Sequence, residues 1–120
     1  MRTSTINYKG RTIFYMDFSD LKAEADIKSV LDESKGYIRR QPMASVYGLA
    51  NIEEMHFNNV IKEYFLEFVK GNKPYMKAST IVGVTGLKQI LFNGIMKMTG
   101  RDVKSCNSIS QAKEWLVSQK

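Results

Sequence analysis

The sequence predicts an α/β domain: a single-layer, mixed and mostly parallel β-sheet with helices, opening with a hairpin and continuing in repeated β-α units. Strand-like segments alternate with segments of helical apolar periodicity along the whole chain, which is typical of parallel strands joined by helical crossovers. A Lys9-Gly10 turn signal separates the first two strand-like segments. With 120 residues, 43% apolar and 25% charged, the chain suits one domain over residues 1–120 and is too short for two.

The hairpin and the first helix come first. Residues 3–8 and 11–18 are the expected hairpin strands, because the second is rich in β-branched and aromatic side chains. Asp20 is the predicted N-cap of the helix, which should end before Pro42. Its inward face repeats at i, i+3, i+4, i+7 and i+11 through Ile27, Val30, Leu31, Ser34 and Ile38.

Two further β-α units follow. The apolar segment 45–50 is consistent with a buried strand, and the next helix should be capped by Asn58 and end at Gly71. A strand over 77–85 then precedes a third helix from Gly86 to Gly100.

The apolar residues of these two helices predict their inward faces. The second helix, which Asn58 caps, carries Phe57, Val60, Ile61, Tyr64, Phe65 and Phe68 at helical spacing. In the third we expect Leu87, Ile90, Leu91, Gly94, Ile95 and Met98 to face inward, with Phe92 and Met96 outside that face.

The last unit is short. Residues 102–106 predict a final strand that contains Cys106, the single cysteine. Ser108 and Gln111 form an S-x-x-Q capping box, which opens a terminal helix carrying Ala112, Trp115 and Leu116.

Positive charge is concentrated in one third of the chain. The net charge is +6, and residues 70–104 hold seven basic residues and one acid, Asp102. Such a segment can attract an acidic partner, an anionic membrane surface or nucleic acid, although most charged segments are solvated faces. Its aromatic residues are only Tyr75 and Phe92, which argues against nucleic acid. Weak contact with a membrane surface stays open as an alternative.

The sequence also indicates a compartment. A lone cysteine suits a reducing environment, the N-terminus lacks a signal-peptide pattern, and no apolar run is long enough to span a membrane. We therefore expect a cytoplasmic protein without a transmembrane segment.

Ligands of such sheets bind beyond the carboxyl ends of the parallel strands, so the loops there form the candidate binding rim. The phrase Gly83-Val84-Thr85-Gly86-Leu87-Lys88 is the strongest signal in it, because a helix start with a hydroxyl and a lysine favours an anion. A glycine that merely permits a tight turn is the competing explanation. The candidate residues are Asp17, Ser19, Asp20, Asn51, Glu53, His56, Asn58, Asn59, Thr85, Gly86 and Lys88.

The catalytic patterns considered are weak or absent. His56 is the only histidine, and a general base would need Glu53, Asp17 or Asp20 beside it. The chain contains no G-x-S-x-G, no metal-ligand spacing and no phosphate-binding glycine loop of the Walker type. These observations favour a protein that is not an enzyme and has no cofactor.

Several phrases carry a resemblance to a known superfamily. They are Tyr15-Met16-Asp17-Phe18-Ser19, the segment 72–78 (NKPYMKA), the phrase 83–88 (GVTGLK) and the segment 110–116 (SQAKEWL). Over nearly its whole length the chain resembles a STAS-type domain, and more closely the small bacterial SpoIIAA-like branch. The resemblance implies a hairpin followed by crossover units.

In the anti-sigma-factor antagonists of that superfamily, a switch serine starts the helix after the second conserved strand. Here the corresponding positions are Asn58 and Asn59, which have no hydroxyl to phosphorylate. Ser19 and Thr85 lie on the same rim and offer hydroxyls instead, although capping explains both equally well.

We therefore expect a non-catalytic regulatory or protein-interaction module without the usual phosphoacceptor serine. The alternative is a domain that binds or senses a small anionic or amphipathic, lipid-like ligand at the rim. A pocket of several hundred Å³ favours the ligand, and a flat exposed apolar patch beside the helix over 57–70 favours the protein partner.

Overall fold

The five strands lie in the sheet in the same order as in the chain, β1-β2-β3-β4-β5. The computed structural model describes residues 2–119. Its elements are β1 (Thr3–Tyr8), β2 (Arg11–Asp17), α1 (Glu24–Ile38), β3 (Val46–Asn51), α2 (Asn59–Asn72), β4 (Met76–Val82), α3 (Leu87–Thr99), β5 (Lys104–Cys106) and α4 (Ile109–Ser118).

Strand pairing follows the predicted scheme. β1 and β2 pair in antiparallel register, with Ile6 opposite Ile13, and the Lys9-Gly10 turn uses positive φ at both residues. The pairs β2–β3, β3–β4 and β4–β5 are parallel. The predicted α/β class with a mixed, mostly parallel sheet is confirmed.

The helices cover the two faces of the sheet unequally. One apolar cluster joins the sheet to α1, α2 and α3, and includes Ile27, Phe65 and Ile95. The second cluster joins the opposite face to α4 alone, through Ala112 and Leu116. Strand β3 is buried almost throughout because both its faces are covered.

The inward face of α1 is as predicted, but its N-cap is not Asp20. All five residues of the predicted face are buried. The N-cap is Ala23, which offers no side-chain hydrogen bond. Asp20 instead sits at φ 63°, and its backbone N–H donates to the Glu53 carbonyl at 2.9 Å. Asp20 therefore shapes the loop before the helix.

In α2 the predicted start is confirmed and the predicted end is wrong. The Asn58 side chain accepts a hydrogen bond from the Ile61 N–H at 2.9 Å, as an N-cap does. Gly71 does not end the helix, which runs to Asn72 and continues as a 3₁₀ turn over Lys73–Tyr75. A Cβ at Gly71 would collide with the Arg39 guanidinium, so this glycine permits a close approach of α1 to α2. Val60, predicted on the apolar face, is 46% exposed.

Helix α3 is rotated relative to the prediction. Its buried residues are Phe92, Ile95 and Thr99, and Met96 packs against the same cluster. The expectation that Phe92 and Met96 lie outside the inward face was therefore wrong. Of the predicted inward residues, Leu87, Ile90 and Met98 are 66–68% exposed. The helix has apolar residues on more than one side, and packing against α2 and the sheet selects the side with Phe92.

The termini of the last elements differ only slightly from expectation. β4 ends at Val82, since Gly83 takes φ 99° and leaves the sheet. Ser108 caps α4 through its Oγ, which accepts from the Gln111 N–H at 3.1 Å. Gln111 reaches back to the N–H of Asn107, one residue before the cap, at 2.6 Å.

Two leucine-to-alanine variants test which side chains of α3 and α4 belong to the core. Leu116 is fully buried under α4, so Leu116→Ala should lower the free energy of unfolding by about 2–5 kcal/mol. Leu87→Ala on the exposed side of α3 should change it by less than about 0.5 kcal/mol. Urea unfolding followed by circular dichroism measures both, and similar losses in the two variants would contradict the burial described here.

Candidate functional site

The carboxyl ends of the central strands meet at one edge of the sheet. Asp17, Asn51 and Val82 are aligned across β2, β3 and β4. The first two side chains bind their own loops. Asp17 Oδ1 accepts from the Ser19 N–H at 3.0 Å and the Ser19 hydroxyl at 2.5 Å. Asn51 Oδ1 accepts from the Glu53 N–H at 3.0 Å. Asp17, Ser19 and Asn51 therefore shape the rim.

The start of α2 joins several candidate residues. Besides capping the helix, Asn58 donates from Nδ2 to Glu24 Oε1 at 3.1 Å, which links α2 to α1. The same nitrogen lies 3.3 Å from His56 Nε2. The side chain nearest to the imidazole in these contacts is thus an amide and not one of the carboxylates that a general base would need. Asn59 is exposed as the first residue of α2.

A surface cleft of about 370 Å³ lies where the loop after β3 meets the start of α3. It brings together three of the predicted rim residues, His56, Thr85 and Lys88, at the helix that Gly86 opens with φ 57°. The other residues that line the cleft are Lys22, Glu54, Met55, Phe57 and Leu87. The cleft is therefore one part of the predicted rim that forms a concave surface.

Two lysines give this cleft a positive character. Lys88 Nζ donates to the Ile52 carbonyl at 3.2 Å, and Lys22 Nζ donates to the Glu54 carbonyl. Burial lowers the pKa of Lys88, and the nearby charge of Lys22 lowers it further, while Glu54 opposes the shift. Both ammonium groups are thus bonded to neutral carbonyl oxygens, and α3 has no acidic residue in its first turn.

Glu53 and Cys106 face a smaller pocket on the other side of Gly83. This pocket measures about 180 Å³ and is also lined by Asn107. Gly83 allows the approach of the two loops, because a Cβ there would lie 2.6 Å from the Glu53 nitrogen. Cys106 is 5% exposed, and burial raises the pKa of its thiol above the ordinary value.

The second candidate surface is the apolar stripe on the solvent side of α3, which we call the α3 outer face. It consists of Leu87, Ile90, Leu91, Gly94 and Met98. Leu87, Ile90 and Met98 are two-thirds exposed, and Leu91 and Gly94 are half-buried. The positions repeat at i, i+3, i+4, i+7 and i+11, so the stripe extends about 16 Å along the helix.

Residues 2–119 contain neither a cluster of metal-ligating side chains nor a helix that could span a membrane. No group of three or more His, Cys, Asp or Glu side chains in this range could hold a metal ion. Within the same residues, no helix has both the length and the apolar character needed to cross a membrane.

Comparison with known proteins supports the fold. No protein-family model and no curated protein matches the chain. Among solved structures, an uncharacterised protein of the DUF3478 family from Shewanella loihica PV-4, described as having a SpoIIAA-like fold, aligns with a TM-score of 0.71. The alignment covers 95% of this chain and 91% of that chain at 13% sequence identity. The protein therefore has a SpoIIAA-like fold, and an identity this low shows the fold alone.

Sequence reasoning missed Lys22, which joins the cleft from the loop after β2. Its position in a loop at the carboxyl end of a strand could have identified it as a candidate residue of the rim. Its contact with Glu54, 32 residues away in the chain, depends on the tertiary fold and could not be predicted. The exposure of Leu87 was missed because helical periodicity alone does not say which of two apolar sides packs inward.

The Cys106 thiol should be unreactive in the folded protein. Burial keeps the thiol protonated and out of reach, so iodoacetamide at pH 8 should label it only after urea is added. Intact mass spectrometry over time measures this. Rapid labelling of the native protein would contradict this expectation and would make the Cys106 thiolate a candidate nucleophile.

Proposed function

We propose that the protein is a non-catalytic regulatory module that binds a protein partner through the α3 outer face. The observation that carries the proposal is the exposure of Leu87, Ile90 and Met98 on one helix side. Scattered apolar side chains are normal on a surface, but a contiguous apolar stripe marks an interaction site.

The shape of the stripe favours a helical partner segment. Its five positions cover about three helical turns, the length over which an amphipathic helix presents anchors at i, i+3, i+4 and i+7. Gly94 lies in the middle of the stripe and has no side chain, so the stripe is shallow there.

The charge around the stripe favours an acidic partner. Helix α3 carries Lys88 and Lys97 and no acidic residue. Two more lysines approach the helix. Lys62 Nζ lies 4.0 Å from the position that a Cβ would take at Gly94, and Lys73 Nζ lies 3.4 Å from the corresponding position at Gly100. An apolar stripe with Lys62, Lys97 and Lys73 at its edges is complementary to an amphipathic helix whose polar side carries Asp and Glu.

The contacts of the two reactive side chains support a role in binding rather than catalysis. His56 lies against an amide, and the Cys106 thiol is buried with a raised pKa. Neither arrangement provides the activated base or nucleophile that acid-base or covalent catalysis requires.

Two designed 18-residue amphipathic peptides test the proposal. They share one leucine face and differ only in carrying glutamates or lysines on the polar face. The glutamate peptide should shift the amide resonances of residues 87–98 in a saturable way, and Ile90→Glu should weaken its binding by about tenfold or more. NMR titration of the labelled protein measures both. Val60→Glu, at another exposed apolar residue, is the matched control and should leave binding unchanged.

Three results would overturn this proposal. Equal binding of the two peptides would show an apolar surface without charge selection. Self-association that Ile90→Glu abolishes, seen by analytical ultracentrifugation, would assign the face to a second copy of the chain. Binding to anionic lipid vesicles through residues 87–98, without binding of the glutamate peptide, would assign it to a membrane surface.

A second candidate function is the binding of a small anion in the cleft of Lys22 and Lys88. The observation that favours it is the cleft itself, whose 370 Å³ reaches the size expected of a ligand site. The cleft is open and lies at the start of α3, where the helix dipole favours negative charge, while the N–H groups of Lys88 and Gln89 already donate to the Thr85 and Gly86 carbonyls.

Sulfate tests the cleft, since its charge is constant above pH 3. Titration should shift the amides of residues 85–88, and Lys22→Gln and Lys88→Gln should each weaken the effect severalfold. Because burial lowers the pKa of Lys88, sulfate binding should decline at a lower pH than the deprotonation of an ordinary lysine would cause. Shifts spread evenly over all surface lysines would show non-specific ion binding.

A further inference from the structure

The first strand of the sheet, β1, has a neighbouring strand on one side only. It comes first in the order β1-β2-β3-β4-β5, so β2 lies on one side of it, and within residues 2–119 no strand lies on the other. The opposite edge of the sheet is β5, which has three residues, whereas β1 has six. An open edge strand presents backbone N–H and C=O groups that can pair with a strand of another chain. The longer open edge of this sheet is therefore β1.

The pairing of β1 with β2 shows which backbone groups face the open edge. In an antiparallel pair, opposite residues alternate between pairs that exchange both backbone hydrogen bonds and pairs that exchange none. The Asp17 N–H donates to the Arg2 carbonyl at 2.9 Å, so Arg2 belongs to a bonded pair. By this alternation, Thr3, Thr5 and Asn7 belong to pairs without such bonds. Their N–H and C=O groups therefore point away from β2, toward the open edge.

β1 lacks the features that commonly keep an edge strand unpaired. Natural edges are protected by proline, by charged side chains such as lysine, or by a β-bulge. The strand reads TSTINY, which contains neither a charge nor a proline, and its register with β2 is continuous from Thr3 to Tyr8. Thr3, Thr5 and Ile6 are β-branched, which is typical of paired strands. The sequence of β1 therefore suits a strand with neighbours on both sides.

The helices on the two faces of the sheet leave this edge open. Thr3 and Thr5 point to the face of α1, where Thr3 Oγ1 donates to Glu33 Oε1 at 3.0 Å. A cleft of about 360 Å³ lies between β1 and α1, and Thr5 is exposed beside it. On the other face, Ser4 is exposed and Ile6 is half-buried against the cluster of α4. Neither α1 nor α4 therefore covers the edge.

The charge distribution makes a second copy of the chain a suitable partner for β1. A net charge of +6 spread evenly over the surface would oppose self-association. Residues 70–104 account for the whole of this charge, and the remaining residues are neutral in sum. That segment forms β4, α3 and the start of β5, so it lies toward the opposite edge of the sheet. Two copies that meet at β1 therefore hold their basic segments far apart.

We propose that two copies of the chain pair through β1 in antiparallel register and form one continuous sheet. Thr5 lies opposite Thr5 of the second copy, and Thr3 of each copy lies opposite Asn7 of the other. This register pairs all the outward-facing N–H and C=O groups of both strands with one another. The contact is two-fold symmetric, because each copy contributes the same surface. It is separate from the α3 outer face and from the lysine cleft.

Sedimentation velocity over a series of protein concentrations measures the association. Two paired edge strands make a small interface, so the series should extend into the millimolar range. The protein should change from monomer to dimer without forming larger species, because the two-fold contact uses the β1 edge of both copies. A continuing increase in size would contradict a closed dimer.

Charged substitutions at Thr5 test the register, because this residue lies opposite its own copy. Thr5→Lys and Thr5→Glu should each abolish the dimer, since like charges meet across the strands, and an equimolar mixture of the two variants should restore it. Thr12→Lys is the matched control. Thr12 is an exposed threonine on β2, where its Oγ1 donates to Asn7 Oδ1 at 3.1 Å, and a charge there should leave the dimer intact.

Amide hydrogen exchange provides a second measurement, which does not depend on size. The N–H of Ile6 bonds to β2, so it should exchange slowly in the monomer and in the dimer. The N–H groups of Thr3 and Asn7 should exchange slowly only in the dimer. In Thr5→Lys we expect them to exchange at least tenfold faster than in the unsubstituted protein at the same high concentration, while the rate at Ile6 stays the same.

Several outcomes would overturn the inference. A monomer at every concentration would show that the β1 edge does not pair with itself. A dimer that Thr5→Lys leaves intact and Ile90→Glu abolishes would place the contact on the α3 outer face instead. If both Thr5 variants are folded monomers and their mixture stays monomeric, the register with Thr5 on the two-fold axis is wrong.

Discussion

The direction of the crossovers is the constraint on which the rest of this structure depends. From β2 to β5 each parallel strand is added on the same side of its predecessor, so right-handed crossovers bring all three connecting helices to one face of the sheet. The apolar clusters agree, since α1, α2 and α3 share one and α4 belongs to the other. The terminal helix must therefore cover the second face alone, and its fully buried residues Ala112 and Leu116 form the contact.

The same constraint explains two apolar features of α3, the exposed stripe on its outer side and the cavity beneath its inner side. This helix is the last of its layer and has α2 on one side and no helix on the other. The strand that follows it, β5, has only three residues, so the sheet offers little surface beneath the helix. One consequence is an apolar stripe that reaches solvent at Ile90 and Met98. The other is incomplete packing between α3, α2 and the sheet, which leaves an apolar cavity of about 60 Å³ lined by Phe92 and Ile95. A long fifth strand or a helix beyond α3 would remove both.

The sequence correctly predicted features that depend on residues close together in the chain. Predictions from the sequence were wrong for features that depend on contacts between residues far apart in the chain. The α1 face, the Asn58 cap and the start of α4 follow from spacing and local hydrogen bonds, and the structure confirms them. Gly71 resembled a helix stop, but its role depends on Arg39, which directly follows another helix, α1. The orientation of α3 could not be read from periodicity, because apolar residues occupy two of its sides. The loops at the strand ends were predictable as a rim, whereas the meeting of Arg101 with Ser79 and Val69 spans 22 and 32 residues of chain.

The residues at the start of α2 show how this chain differs from the switch that its resemblance implies. A serine at position 58 could cap the helix through its hydroxyl, but Asn58 does more, since its oxygen binds the Ile61 N–H while its nitrogen binds Glu24 of α1. Both ends of the amide are occupied, and the two helix starts are held together. This arrangement is suited to a fixed junction and gives a kinase no hydroxyl at this position. The exposed apolar stripe lies instead on the outer side of α3. Among the described residues, that helix carries three of the five large apolar side chains that are exposed, Leu87, Ile90 and Met98, whereas the start of α2 carries one, Val60.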